Sequence, residues 1–391
     1  MNKTLAINIV DAFCNTFVAA LLPLLLAERG YSAAQVGLVF ALMPLSFMVV
    51  RLALAATADQ LTFKPFFCLN AAASAAAYAF YAFPFGAVGY NAGRIMDGTA
   101  QAAIWAVNRS EAIAQRGAAT ATHASATLIQ HRQVAFALGA LAAGAVATLA
   151  TLPNAMLFAA LLEAATLAIA LRLPPSPRKR VVFKQALASL DPRSKTRLLH
   201  KTALIMALRV CSLSLAFSFT LPLFLKAEGN ALFSIGILLA LYYSVQVLSI
   251  NFFKKRGVIK FHYSLAAIAI FSTGVALLVL APQLPLFLPL VLMAIGDGFA
   301  AFVWEALIAN ATAKSATISS DIGLIHIPAN IAQAIALVTA GVIVSNYGYS
   351  PSFVLAIPFF ILFLLTANQA LGVTLPQRHR PPHPLLPLNP S

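Results

Sequence analysis

Apolar stretches long enough to cross a lipid bilayer recur along almost the whole chain. An α-helix needs about 20 mainly apolar residues to cross the hydrocarbon core. Only 9% of the 391 residues are charged, whereas soluble domains carry about 25% charged residues. So few charges cannot cover so much apolar surface in water. The sequence therefore predicts a multi-pass membrane protein.

We predict twelve membrane helices. Only helices and closed barrels satisfy every backbone group in lipid, and barrel strands would alternate between polar and apolar residues. The predicted spans are about 4–26, 35–57, 65–83, 88–108, 125–150, 153–171, 202–225, 231–252, 262–281, 285–309, 322–344 and 350–371. The first span is too long for a signal peptide and carries Asp11 in its middle, so it is predicted to be a retained helix.

The basic residues predict the orientation of the chain. If the N-terminus is cytoplasmic, cytoplasmic segments hold twenty of the 26 Lys and Arg residues, and the opposite side holds only Arg29 and Lys226. Cytoplasmic loops are enriched in Lys and Arg. We therefore predict a location in the cell membrane, inner or plasma, with both termini cytoplasmic. The net charge of +15 then reflects topology, and no nucleic-acid partner is expected.

An internal repeat relates the two halves of the chain. Residues 21–30, 36–42 and 97–106 match 220–229, 235–241 and 297–306, at an offset of 199 or 200 residues. Six helices in each half give parallel repeats, with a site expected between them near the midplane. The predicted domains are an N-terminal bundle (1–172), a basic cytoplasmic linker (173–201), a C-terminal bundle (202–371) and a disordered, proline-rich tail (372–391).

This organisation resembles the major facilitator superfamily, whose transporters have two six-helix halves, a basic central loop and cytoplasmic termini. The family motif after the second helix is matched in part by Asp59 and Lys64. Residues 93–98 resemble the arginine-then-glycine pattern of the fourth helix, and 139–144 resemble a degenerate antiporter motif. The resemblance implies an all-α fold of twelve transmembrane helices in two parallel-repeat six-helix bundles, acting as a monomer.

Ionisable side chains within the spans are the candidates for the functional site, because charge inside a membrane is costly and usually faces a cavity or a partner. In the resembled family the first, fourth, seventh and tenth helices line the central cavity. The predicted substrate- and proton-binding residues are Asp11, Asn15, Arg94, Asp97, Gln101, Arg209, Asp297, Glu305, His326 and Asn330. The resemblance also implies that Asp59 and Lys64 make a cytoplasmic gate contact with neighbouring helix ends, and Arg132 is a further gate candidate that could instead bind lipid phosphate.

Structural roles are open alternatives for these residues. Asp11 is expected either to exchange a proton or to hold a neighbouring helix by a hydrogen bond. Arg94 and Asp97 lie one turn apart, so they are expected to pair, either as a structural bridge or as a switch. Arg209 is a candidate for holding an anionic substrate or an acidic partner such as Asp297.

Other polar and aromatic side chains have two interpretations each. Glu305 either exchanges a proton or makes a contact between helices, and His326 is either protonatable in the cavity or a core residue. Trp105 and Trp304 either stack on a substrate or pack in the core. The sequence suggests no partner and no role for Glu163.

These features predict a secondary active transporter that moves a small organic solute by alternating access. Proton-coupled efflux of an amphipathic compound is the first choice. The alternatives are proton-coupled or facilitated import of a sugar, an organic anion or a lipid-like solute, and, in another class, a non-transporting sensor or an intramembrane transferase. We find no catalytic or nucleotide-binding motif and no metal-ligand spacing. We therefore expect no enzymatic activity, cofactor or metal, and the solute, protons and membrane lipids as partners.

Overall fold

The computed structural model describes residues 3–58, 62–83, 85–116, 121–174, 188–257, 259–313, 315 and 317–373. In these ranges the regular structure consists of thirteen α-helices and one 3-10 turn, Pro192–Ser194. The helices are α1 (Lys3–Glu28), α2 (Ala33–Ala58), α3 (Phe63–Ala82), α4 (Gly86–Arg116), α5 (Ala121–Leu149), α6 (Leu152–Leu171), α7 (Arg197–Ala216), α8 (Thr220–Ala227), α9 (Leu232–Arg256), α10 (Phe261–Leu280), α11 (Phe287–Thr312), α12 (Ile318–Tyr347) and α13 (Tyr349–Ala370).

Ten helical segments of the described chain are long and apolar enough to cross a bilayer, and α7 and α8 together make one of them. Helices α3 and α4 complete the twelve predicted spans. Their lower hydropathy has a structural reason, because α4 buries the polar side chains of Arg94, Asp97 and Gln101, and the alanine-rich α3 packs against α4 and α6. A side chain within a membrane span need not be apolar if it faces other protein and not lipid. The chain is a multi-pass membrane protein.

The seventh predicted span differs from a single straight helix. Helix α7 begins at Arg197, inside the segment predicted as linker, because Thr196 Oγ1 accepts a hydrogen bond from Leu199 N at 3.2 Å and caps the helix. The helix breaks between α7 and α8. Pro222 explains the break, since it has no N–H to donate to the carbonyl of Ser218 and its ring clashes with that carbonyl.

Among the described residues, most contacts between the two halves are made by two pairs of helices, α2 with α12 and α5 with α9. Glycines form the closest part of each contact. A Cβ atom on Gly37 would lie 2.5 Å from Leu337 O and 3.2 Å from Gly341 Cα, and one on Gly236 would lie 2.7 Å from Gly144 Cα. Gly37 and Gly236 are separated by the offset of the sequence repeat. Small residues allow backbones to approach closely in membranes, and the repeat places this contact twice.

These glycine contacts close one side of the molecule. We call the side at which α1 begins the N-terminal face and the other side the opposite face. Both glycine pairs lie towards the opposite face, as does the hydrogen bond from Ala34 N to Ser345 Oγ at 2.8 Å. Helix α8 also packs against α1 there. The halves are therefore held together at the opposite face.

At the N-terminal face, lysines bind the end of α6. Lys64 Nζ donates to Leu171 O at 2.7 Å and to Leu173 O at 3.0 Å, and Lys3 Nζ donates to Arg172 O at 3.1 Å. Cations at a helix C-terminus satisfy its last carbonyl groups and interact favourably with the helix dipole. Lys64, at the start of α3, thus binds the end of α6 within its own half. Asp59, the other residue of the predicted gate, lies outside the described residues.

Replacing Lys64 with methionine is expected to lower the free energy of unfolding by about 0.5–1 kcal/mol, because the carbonyl groups at the end of α6 lose a charged donor. Thermal unfolding of the purified protein in detergent measures the change. Lys255→Met is the matched control, since Lys255 is exposed at the end of α9. Equal melting temperatures for the two variants, with transport lost only in K64M, would favour a gate role over helix capping.

Candidate functional site

A cavity of about 520 Å³ lies between the two halves. Its wall is built by α1, α2, α4 and α5 on one side and by α7, α9, α11 and α12 on the other. Among the predicted binding residues, those that line it are Asn15, Arg94, Asp97, Gln101, Arg209, Asp297, Glu305, His326 and Asn330. Side chains far apart in the sequence therefore meet around one space.

Asp11 is the predicted binding residue that does not line the cavity. It is fully buried behind the wall, where its Oδ2 forms an ion pair with Arg132 Nη2 at 2.8 Å. Its Oδ1 accepts hydrogen bonds from Asn70 Nδ2 at 2.9 Å and from Gln101 Nε2 at 3.4 Å. These partners belong to α5, α3 and α4. Asp11 thus connects α1 to three neighbouring helices.

Arg132, which was proposed as a gate residue, lies on the cavity wall as the partner of Asp11. Its guanidinium carbon is 4.9 Å from the centre of the Trp105 ring and 5.9 Å from that of Phe136. Stacking on aromatic faces adds to the ion pair in holding the guanidinium. Arg132 therefore links the solvent-accessible cavity to the buried carboxylate behind it.

Asp297 is the centre of the polar cluster in the second half. Its Oδ1 forms an ion pair with Arg209 Nη2 at 2.7 Å. Its Oδ2 accepts hydrogen bonds from the Tyr242 hydroxyl at 2.9 Å and from Gln246 Nε2 at 2.5 Å. Of the two roles considered for Arg209, binding an anionic substrate or an acidic side chain, the structure thus shows the second. Tyr242 and Gln246 were not among the predicted site residues, although their spacing of four residues puts them on one helix face.

Arg94 and Asp97 pair on α4, with 2.7 Å between Nη1 and Oδ2. Arg94 also donates to Phe40 O at 3.4 Å, and its guanidinium carbon lies 4.5 Å from the centre of the Phe40 ring. Asp97 and Asp297 occupy matching positions of the repeat, so each half presents an Asp–Arg pair to the cavity. The arginine comes from the same helix in the first half and from another helix, α7, in the second.

Aromatic rings cover much of the remaining wall. His326 lies between rings of the two halves, with its ring centre 6.3 Å from Phe47 and 6.0 Å from Trp304. Its Nδ1 is 2.7 Å from Ile322 O, and Asn330 Nδ2 donates to the His326 carbonyl at 2.7 Å. Glu305 lines the same region. The cavity therefore combines ion-paired polar groups with aromatic surfaces, which suits an amphipathic organic molecule.

The cavity extends towards the N-terminal face. Trp105, Gln133, Trp304 and Glu305 line it and lie in the parts of their helices nearer that face. On the other side, the backbone contacts at the glycine pairs join the halves. The structure thus has a central cavity that is closed off from the opposite face.

Comparison with known proteins gives a match only in structure. No protein-family profile and no curated protein sequence matches this chain. The human organic anion transporter MFSD10 (TETRAN) has a similar structure, with a TM-score of 0.70 and 19% identity over 93% of this chain and 98% of that protein. A point mutant of the nucleoside transporter NupG gives a TM-score of 0.71 and 15% identity, over 94% of this chain and 100% of that one.

The unmutated NupG structure agrees, with a TM-score of 0.68 and 14% identity over 95% of this chain and 99% of that one. The likeness extends over nearly the full length of both chains and so includes both halves. The prediction of an all-α fold of twelve membrane helices in two parallel-repeat bundles is confirmed. The chain has the fold of the major facilitator superfamily transporters.

Proposed function

We propose that this protein is a secondary active transporter that moves a small organic solute across the membrane by alternating access. The observation that carries the proposal is the charged and aromatic cavity between repeat-related halves that are joined at the opposite face by two narrow glycine contacts. Two such halves can rock about a central site and expose it to one side at a time. The transporters with similar structures support the same class of function.

If the N-terminal face is cytoplasmic, as predicted, the cavity lies on the cytoplasmic side of the glycine contacts. Separation of α2 from α12 and of α5 from α9 would open it to the other side. A solute drives this exchange only if it binds the two conformations differently. The acid and arginine groups that line both halves provide contacts that change when the halves rotate.

Proton-coupled efflux of an amphipathic compound is the mode that we propose first. Asp97 and Asp297 each sit in the cavity wall with an arginine partner. A proton that binds one of these carboxylates breaks its ion pair and changes the charge that each conformation must solvate. A proton entering from the outside would then drive a solute outwards, and the aromatic wall would hold the apolar part of that solute.

Transport of an organic anion, including import, is the second candidate. It is favoured by Arg209, whose Nη1 has no hydrogen-bond partner among the described residues while its Nη2 holds Asp297. An arginine in a cavity wall with an unused guanidinium N–H suits a carboxylate or phosphate group. The similarity to a human organic anion transporter is in keeping with this candidate.

Flux into proteoliposomes tests the proposal. We expect fluorescent amphipathic solutes, tested as cationic, neutral and anionic panels, to accumulate under an imposed pH gradient, and an uncoupler to abolish the accumulation. Liposomes that contain Asp97→Asn/Asp297→Asn protein are the control. Uptake of the anionic solutes alone, at a rate that the pH gradient does not change, would favour facilitated anion transport. Absence of both gradient-driven uptake and counterflow across all panels would contradict a transport function and favour a sensor.

A further inference from the structure

Glu163 on α6 is a carboxyl group deep in the first half for which the transport cavity gives no role. The side chain is fully buried, and neither carboxyl oxygen has a well-formed hydrogen bond from the described residues. It does not line the cavity. Ionisable groups within membrane spans are rare and usually functional, so an acid without a well-formed hydrogen bond needs an explanation.

The groups that face Glu163 come from three helices packed around α6, namely α1, α3 and α5. Helix α1 contributes the Cys14 thiol beside the carboxyl group and Asp11 one turn away. Helix α3 contributes the Tyr78 hydroxyl, and α5 contributes the Arg132 guanidinium. Asp97 on α4 is a further carboxyl group in this region.

Among the described residues, Arg132 forms an ion pair with Asp11 and is also near enough to Glu163 for its charge to act on that carboxyl group. With Asp11 and Glu163 both ionised, the buried cluster would hold two negative charges against one positive charge. Burying an excess charge is costly. A single proton removes the excess.

The two carboxyl groups differ in what surrounds them. Asp11 accepts hydrogen bonds from Asn70 and Gln101 and forms an ion pair with Arg132, and all of these groups suit a carboxylate. The donor beside Glu163 is the weak Cys14 thiol, and neither carboxyl oxygen has a well-formed hydrogen bond from the described residues. The proton of the cluster therefore belongs on Glu163.

We propose that Glu163 is a further proton-carrying group of this protein beside the cavity carboxylates, and that Arg132, which lines the cavity and binds Asp11, couples it to the cavity. This inference rests on the proposed function and names a further site of coupling within it. On loading, a hydronium ion that reaches Glu163 when the surrounding helices move gives a proton to a carboxyl oxygen, an O–H bond forms and water is left. On release the O–H bond breaks, the proton returns to water, and Arg132 is shared between two carboxylates.

Movement of α1 connects this site to alternating access. Asp11 and Cys14 of α1 lie next to Glu163, and the far end of α1 packs against α8 of the other half. A proton on Glu163 changes how strongly Arg132 draws α1, α5 and α6 together. It thereby changes the relative stability of conformations in which α1 packs differently against α8.

Infrared difference spectroscopy of the full chain in nanodiscs tests the proposal without any substrate. Between alkaline and acidic buffer, the wild type should show C=O stretching bands of carboxylic acids, and Glu163→Gln should lack one of these bands. Glu305→Gln, which removes a cavity carboxylate, is the matched control and should keep the band. A band of wild-type size in E163Q, or one lost only in Asp11→Asn, would overturn the assignment.

Flux measurements separate this inference from the proposed function. We expect E163Q to keep solute counterflow but to lose accumulation driven by a pH gradient, and Glu163→Asp to retain part of the accumulation. Gel filtration first establishes whether both variants are folded. If E163Q is not folded, the acid band of E163D is used to test the assignment. Proton-driven flux that is unchanged in E163Q overturns the inference and leaves the transport function standing. A Glu163 acid band in a protein without any flux would support the proton site and overturn the transport function.

Discussion

Replacing Asp297 with alanine is expected to lower the free energy of unfolding by about 3–5 kcal/mol, because the change leaves a buried arginine charge unpaired. Arg209 is only 4% exposed and forms its ion pair with this carboxylate. Tyr242 and Gln246 lose their acceptor at the same time. Thermal unfolding in detergent measures the loss of stability, and proteoliposome flux is expected to be abolished.

A second variant separates the loss of stability from the loss of function. In Arg209→Met/Asp297→Ala the arginine charge is removed together with its partner, so most of the stability should return. Transport should stay absent, because the cavity lacks the pair that the proposed mechanism uses. A D297A protein as stable as the wild type would contradict the ion pair, and a double variant that transports normally would contradict its function.

The helical architecture could be predicted because lipid allows few solutions. Apolar runs of the required length, the bias of Lys and Arg, and the internal repeat each point to the same two-halved helical fold. In-span charges such as Arg94, Asp97, Arg209 and Asp297 were also expected to converge, and they do line one cavity. Charge is expensive in lipid, so its position within a span carries information that a surface charge in a soluble protein lacks.

The pairing of those charges could not be predicted in full. Arg94 and Asp97 are one turn apart, so their pairing is visible in the sequence. Asp11 and Arg132 are joined only by the packing of α1 against α5, and no local pattern selects Arg132 over another in-span arginine. Lys64 illustrates the same limit, since its carbonyl partners at the end of α6 are set by tertiary structure.

Alanine at both Gly37 and Gly236 is expected to open the opposite face. Each added Cβ atom would meet backbone of the other half, 2.5 Å from Leu337 O in one case and 2.7 Å from Gly144 Cα in the other. Overpacking of this kind costs about 1–3 kcal/mol per site. A conformation with these helices apart avoids that cost, so the ratio of the two conformations should shift towards it by about tenfold or more.

Disulfide cross-linking across the opposite face measures this shift. Cysteines at Ala34 and Ser345, whose backbone N and side-chain Oγ are 2.8 Å apart, should cross-link readily in a chain whose three native cysteines are replaced by alanine. The G37A/G236A change should slow the reaction markedly. Gly296→Ala is the control, because its Cβ would meet Ala267 O within the second half and should not alter the reaction between halves. Equal rates in all three proteins would mean that the glycine contacts do not hold this face closed, and the gate would then have to lie elsewhere along α2 and α12.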